Sequence, residues 1–226
     1  MKYIIYILLF FPIWVTAQTY KYIGIEDGLS NRRIFNIQKD AQGYMWFLTN
    51  EGMDRYNGKD IKHYKLNKEG TTLDAPIRLG WLYTEPHIGI WVVGKQGRIF
   101  QYEANRDDFK MVYKLPDTSE AISCGYLDRN NNIWLCHKDT VLLYNIKDAH
   151  IVQFPNLLHS SITAIEQVDK HHFFIATETG VRYVKLENGV LEAMPVETLD
   201  YFHAQVSELY FHRQLKRLFI GSFERG

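Results

Sequence analysis

Side chains able to do chemistry occur along the whole chain, but their arrangement points away from an active site. Carboxylates pair at Glu26-Asp27 and Asp107-Asp108 and recur at Glu178. Two of them facing each other across a cleft could cleave a glycosidic bond, yet their order along the chain does not set that separation. His171-His172 is a tandem pair, but neighbouring side chains of an extended segment point to opposite sides, and no third ligand follows nearby. His63, His87, His137 and His203 are scattered and suit ordinary hydrogen bonds or solvent. No Gly-x-Ser-x-Gly elbow, His-Glu-x-x-His pair or phosphate-binding glycine loop is present. The residues therefore assign no catalytic group, no metal ligand and no cofactor.

The two cysteines, Cys124 and Cys136, flank the turn-forming run Asp128-Arg-Asn-Asn-Asn132. A hairpin there brings the thiols nearly opposite one another. A disulfide is then geometrically allowed in an oxidising compartment, whereas two small buried thiols are the ordinary alternative, because cross-strand bridges tend to be strained. Trp81, Tyr83, Arg32, Arg33 and Arg78 are the kinds of side chain that stack on sugar rings and pair with hydroxyls. Trp81 and Tyr83 fit an inner strand equally well, so no ligand-binding residue is assigned.

The elements that would position these residues declare themselves by a repeat. Trp46, Trp91, Trp134, Phe174 and Phe219 each sit in a short apolar run, at intervals of 45, 43, 40 and 45 residues. That period, with four strand-like segments per unit, marks β-propeller blades. These five aromatics are the structural anchors of the repeat. Asp40 and Asp128 both stand six residues before their Trp and read as turn formers. Positions three and six after the anchor are mostly small: Thr49 and Gly52, Gly94 and Gly97, Thr177 and Gly180. Small residues there suit tight turns. Second runs follow at Met53–Tyr56, Arg98–Tyr102, Val141–Asn145 and Val181–Lys185, with outer runs at Lys62–Lys65 and Ile151–Phe154. Alternation at Ile34, Phe35 and Ile37 and at Ile162, Ala164, Ile165 and Val168 predicts strands, and no sustained 3.6-residue period predicts a helix after the first residues. The fold class is all-β: four blades at about 29–66, 75–114, 119–155 and 160–197, and part of a fifth at 201–226.

Lys2, the apolar stretch Tyr3–Trp14 and the small residues Val15-Thr16-Ala17 before Gln18 form an export signal over residues 1–17, leaving 18–226 as a partial propeller. An uncleaved anchor is the weaker reading, since the stretch is short for a bilayer and Pro12 interrupts it. The 26 basic and 26 acidic residues cancel, and no run of Lys and Arg breaks the balance. A duplex-binding surface needs clustered cations, so no nucleic acid is expected as a partner.

One stretch is more specific. Tyr22-Ile-Gly-Ile-Glu-Asp27-Gly28-Leu29-Ser30-Asn31, followed by Ile34, Ile37, Asp40, Gly43, Trp46, Gly52, Asp54-Arg55-Tyr56-Asn57-Gly58 and Tyr64, resembles the start of the two-component regulator propeller family. Later units share the skeleton only, with Ala75-Pro-Ile77 and Ser160-Ser-Ile162 in place of Gly-Leu-Ser. The resemblance implies the N-terminal periplasmic sensor region of a hybrid two-component histidine kinase of Bacteroidetes, anchored in the inner membrane and homodimeric at full length. It also implies a carbohydrate-responsive signal, with an oligosaccharide reaching the full-length sensor and the remaining blades and kinase domains as partners within one protein. The segment itself shows no kinase or receiver pattern and is expected to be non-catalytic. In such propellers the stretch before the first repeat, here Tyr20–Ile25, becomes the outermost strand of the last blade. With the fifth unit incomplete at Gly226, an open arc is expected, as in a truncated or partial sequence. The alternatives are a secreted propeller enzyme acting on polysaccharide and a protein-interaction propeller.

Overall fold

The computed structural model describes residues 20–66, 79–116, 121–137, 140–155, 158, 160–196 and 204–222. The export signal expected at 1–17, the stretch Ala75-Pro-Ile77-Arg78, and His203 lie outside them. Short β-branched and aromatic runs, separated by turns rich in Asp, Asn and Gly, fold into antiparallel meanders. The first sheet is β1 (Ile34–Lys39), β2 (Met45–Thr49), β3 (Gly52–Tyr56) and β4 (Ile61–Tyr64). The second is β5 (Leu79–Glu85), β6 (Gly89–Gly94), β7 (Arg98–Glu103) and β8 (Asp108–Lys114), and the third is β9 (Cys124–Leu127), β10 (Asn132–Cys136), β11 (Thr140–Asn145) and β12 (Ile151–Pro155). A fourth comprises β13 (Ile162–Gln167), β14 (His172–Thr177), β15 (Gly180–Glu187) and β16 (Val190–Met194). Two further strands, β17 (Val206–His212) and β18 (Arg217–Ser222), pair on their own. The only helical element among the described residues is a 3-10 turn at Ile25–Asp27.

The repeat in the sequence is a repeat in register. Trp46 stands opposite Gln38 and Arg55, Trp91 opposite Tyr83 and Gln101, Trp134 opposite Tyr126 and Leu143, Phe174 opposite Glu166 and Tyr183, and Phe219 opposite Tyr210. The first strands β1, β5, β13 and β17 carry the same one-residue irregularity near their start. Such a bulge sharpens the local twist of a strand, here the one that lies innermost. Successive first strands approach one another, so they line the axis of the arc and the remaining strands radiate outwards. Gly52 and Gly180, six residues past their anchors, have φ of 139° and 142°, where a side chain would be strained. The fold is therefore a β-propeller arc of four blades and part of a fifth.

The core lies between blades rather than within one. Trp46 packs with Tyr102 and Phe109 of the second blade, at 5.0 and 5.8 Å between ring centres. Trp91 reaches Tyr144 of the third at 6.2 Å, Trp134 reaches Phe173 of the fourth at 4.8 Å, and Phe174 reaches Phe211 of the fifth at 5.8 Å. Every anchor with a following blade thus points into it. Trp46, Trp91 and Trp134 are almost wholly buried. Removing a ring of that size from water is worth roughly 4–6 kcal/mol, against about 1 kcal/mol for ring-pair geometry, so burial rather than stacking holds neighbouring blades together. Phe219 occupies the same register on the last described blade and is 52% exposed.

The stretch before the first repeat joins no last blade, in keeping with the open arc expected from the sequence. Tyr20–Gly24 belongs to no strand, and Ile25 opens the 3-10 turn. Ile23 packs instead against Leu29, Phe47 and Tyr56 of the first blade, and Lys21 donates to the Tyr56 hydroxyl. Its place in a last blade requires a third strand to pair with, and β17–β18 ends at two among the described residues.

Candidate ligand-binding face

The turns joining first to second strands sit on one side of the arc, and their shape comes from single carboxylates. Asp40 Oδ1 accepts the backbone N–H of Gln42 and Tyr44 at 3.0 and 2.9 Å, while Oδ2 accepts the Trp46 indole N–H at 2.7 Å. Asp128 repeats this with Asn130 and Asn132, both at 2.9 Å, and with the Trp134 indole at 2.9 Å. In the fourth blade, Asp169 accepts the N–H groups of His171 and His172 in the same way. Asp40 and Asp128 thus satisfy a turn and a buried indole at once, with three and four of their roughly four acceptor sites spent on structure.

Two clefts open on this side. The first, of about 270 Å³, lies between the first and second blades and is lined by Gln42, Tyr44, Trp46 and Arg55 on one wall and by Glu85, Pro86, Ile90 and Tyr102 on the other. The second, of about 320 Å³, lies between the second and third blades and is lined by Glu85, His87, Ile88, Leu127, Asp128, Arg129 and Asn131. Both are at the small end of ligand clefts, typically ~300–1,000 Å³, and each has room for one ring. Glu85 borders both.

The walls of the first cleft are tied by polar bonds across the blade interface. Arg55 donates to the Tyr102 hydroxyl at 2.7 Å and to Asp107 Oδ1 at 2.9 Å, and its guanidinium lies over the rings of Tyr44, Trp46 and Tyr64 at 4.8, 5.5 and 5.5 Å. Asp107, in the β7–β8 turn, also accepts from Lys62, Tyr102 and Tyr64. The Lys62 ammonium, then the Tyr102 and Tyr64 hydroxyls, hold its carboxyl well below the usual range. Thr84 donates to the Lys39 carbonyl at 3.0 Å. Between the third and fourth blades Arg129 gives its backbone N–H to Gln167 Oε1 and its Nη2 to the Gln167 carbonyl, both at 2.8 Å, and Asn130 donates to the Lys170 carbonyl.

The remaining residues singled out in the sequence are spread over the arc. Glu26 is exposed and only 3.9 Å from Arg32, while Asp27 accepts the Gly24 N–H at the start of the 3-10 turn. Arg33 lies over the Phe35 ring, Asp108 accepts the Phe109 N–H, and Glu178 sits on a turn of the fourth blade. His171 Nδ1 faces the Leu186 carbonyl at 3.3 Å, whereas His172 Nδ1 faces Asp169 at 2.9 Å and its ring stacks on Tyr183. Among the described residues no group of three or more His, Cys, Asp or Glu could hold a metal. Cys124 and Cys136 stand directly opposite one another as free, buried thiols, and burial pushes the Cys136 thiol up. Trp81 closes on the backbone of the third blade, where a Cβ on Gly125 would lie 2.7 Å from its ring.

Two arrangements were not legible in the sequence. One is the Arg55–Asp107 tie, whose partners are 52 residues apart. The other is buried Asp54, which accepts the backbone N–H and hydroxyl of Ser30 at 2.8 Å each and faces His63 Nδ1 at 2.7 Å. Ser30, His63 and Asp54 have the composition of a hydrolase triad, but Ser30 donates to the carboxylate and not to the imidazole, so nothing activates it as a nucleophile. The trio instead pins Gly28-Leu29-Ser30 to the third strand of its own blade.

Radial four-stranded meanders around a common axis define a β-propeller. Within it, residues 28–51 match the family described as two component regulator propeller, which accounts for Gly28-Leu29-Ser30 and the Asp40-to-Trp46 spacing. Among solved structures the chain is similar to the extracellular domain of the hybrid two component system BT3049 from B. thetaiotaomicron, with 18% identity and a TM-score of 0.69 over 91% of this chain and 29% of that one. It is also similar to the extracellular domain of BT4673 from the same organism, with 13% identity and a TM-score of 0.52 over 86% of this chain and 33% of that one. Virginiamycin B lyase from Staphylococcus aureus has 16% identity and a TM-score of 0.64 over 86% of this chain and 66% of that one. The chain therefore spans about a third or less of the two extracellular domains. No curated protein matches its sequence. Among the described residues no helix is long and apolar enough to cross a membrane.

Proposed function

We propose that this chain is the N-terminal sensor propeller of a periplasmic hybrid two-component histidine kinase, that it binds and transmits without chemistry of its own, and that its signal is carbohydrate. The observation that carries this reading is the coincidence of the family match at residues 28–51 with a propeller arc whose conspicuous carboxylates are spent on turns and blade ties. Further blades, a membrane anchor and kinase domains of the same protein are the partners it calls for, with pairing into a homodimer at full length and an oligosaccharide as signal. Likeness to a lyase supports only the fold, because propellers host unrelated functions.

The test has two arms. Deleting the coding region in the source bacterium is expected to abolish the transcriptional response to one polysaccharide while leaving growth on simple sugars intact. The purified chain is expected to release no product from polysaccharide. Turnover by the purified chain, or unchanged responses to every polysaccharide in the deletion strain, would overturn the proposal.

A further inference from the structure

We infer that the β17–β18 turn is a contact surface for an anionic phospholipid bilayer, with Arg213, Lys216 and Arg217 meeting the phosphates and Leu215 entering the headgroup layer. The inference goes beyond the sensor reading and stands without it.

This turn departs from the repeat at two positions. Six residues before the anchor, where Asp40, Glu85 and Asp128 stand in the first three blades, the fifth carries Arg213. Four residues before it, where the others carry Gln42, His87, Asn130 and Lys170, the fifth carries Leu215. The fourth blade, with Val168 at the first of these positions, still shapes its turn with the neighbouring Asp169. In the fifth an imidazole takes over: the Leu215 backbone N–H donates to His212 Nδ1 at 3.2 Å. The turn is therefore closed without a carboxylate, and none occurs from Leu209 to Ser222. Lys216 also donates its N–H to the Arg213 carbonyl at 3.3 Å, so the cationic side chains crowd one tight tip.

Charge changes along the arc as a result. The turns run from Asp40 and Glu85, through Asp128 with Arg129 and Asp169 with Lys170, to Arg213, Lys216 and Arg217. Arg129 is spent on the Gln167 carbonyl. The three cations of the fifth turn are exposed, and their side chains have no ion pair or hydrogen bond among the described residues. Like charges gathered without a counter-charge repel one another, and an anionic partner relieves that repulsion.

Leu215 decides which anionic partner fits. It is 57% exposed, set among the cations. An acidic protein or a soluble polyanion matches the charges and leaves the leucine unused. A bilayer interface offers phosphates immediately above an apolar layer. Long Arg and Lys stems keep their charged heads at the phosphates while the shorter leucine goes deeper.

The full chain can be sedimented with phosphatidylcholine vesicles prepared with and without phosphatidylglycerol. Binding is expected only with phosphatidylglycerol and should weaken as salt is raised. Combining Arg213→Gln, Lys216→Gln and Arg217→Gln should lower partitioning roughly a hundredfold, at about fivefold per cation, with the melting temperature unchanged. Leu215→Ser should lower it about tenfold and leave the salt dependence in place. Lys59→Gln with Lys147→Gln, which removes exposed lysines from turns of the first and third blades, should change nothing. Absence of binding, equal binding to both vesicles, or binding that the triple variant retains would overturn the proposal. So would a loss that the Lys59 and Lys147 variant reproduces, since diffuse charge would then be responsible. Wild-type partitioning by Leu215→Ser, together with equally tight binding to soluble polyaspartate, would make the turn a surface for acidic protein instead. The sensor reading is tested apart from all of these, in the deletion strain.

Discussion

Asp128 and Trp134, six residues apart, are joined by a hydrogen bond from the indole N–H to the carboxylate at 2.9 Å, with the carboxylate only 3% exposed and the indole fully buried. Asp40 and Trp46 make the same bond two repeat units earlier in the arc. The anchor of a blade and the turn that shapes the candidate ligand face are thus one unit. A change in either reaches both.

Asp128→Ala is expected to cost about 3 kcal/mol or more, because it orphans the buried indole and the N–H groups of Asn130 and Asn132, at ~1–3 kcal/mol for each group that water cannot reach. Adding Trp134→Phe should recover part of the indole share, so the two changes together cost less than their sum. Urea titrations of the four proteins measure this. A loss below about 1 kcal/mol for Asp128→Ala would mean the bond contributes little.

The Arg55–Asp107 tie is expected to show up in a double-mutant cycle. Arg55→Met leaves Asp107 with fewer donors, and Asp107→Asn leaves a guanidinium, 18% exposed, among rings. Each single variant should melt lower than the wild type, and the double variant should lie above the sum of the two losses by about 1–2 kcal/mol. Strict additivity would show that the blades are held by burial alone.

Acid stability should divide two carboxylates by sign. Hydrogen bonds from Lys62 and then Tyr102 lower the folded pKa of Asp107, so its stabilising effect is present above the ordinary carboxylate range and is lost only as the pH falls through its depressed value. Burial raises the folded pKa of Glu166, against the Phe211 N–H that it accepts. Its charge therefore costs stability as pH rises through and above the carboxylate range. Thermal melts from acid to neutral pH should find Glu166→Gln more stable than the wild type at neutrality and equal to it in acid. Asp107→Asn should be less stable at neutrality, with the gap closing only at the acid extreme. The reverse order at neutral pH would refute both assignments.

Gly125→Ala is expected to loosen the joint between the second and third blades. The new Cβ would stand 2.7 Å from the Trp81 ring, so the indole must move out of its packing, at about 1–3 kcal/mol. Tryptophan emission should shift to the red and the melting temperature should fall. Unchanged emission would show that Trp81 repacks without cost.

Much of the architecture was open to sequence reasoning, and for a physical reason. A blade is a local meander, so its strands, turns and anchor lie within about forty residues, and their order survives as spacing. The period of Trp46, Trp91, Trp134, Phe174 and Phe219, the Asp before the Trp, and the small residues after it therefore located strands and turns that the structure contains. Asp40 and Asp128 were readable as turn formers, but their bonds to the indoles were not, since the sequence carries no sign of which way a side chain points. The open arc was readable from the missing third strand of the fifth unit, but not that Ile23 and Lys21 would settle on the first blade.

The sequence by itself determined the class of fold and the repeat of its strands and turns, because these depend on contacts between near neighbours in the chain. Only the tertiary structure decided that Arg55 would meet Asp107, that Trp81 would press on Gly125, and that the turns carrying Gln42, Glu85 and Asn131 would stand in one row. Those relations join different blades. They depend on the angle at which one sheet packs against the next, which is set by bulky rings filling the space between sheets and leaves no period or motif along the chain.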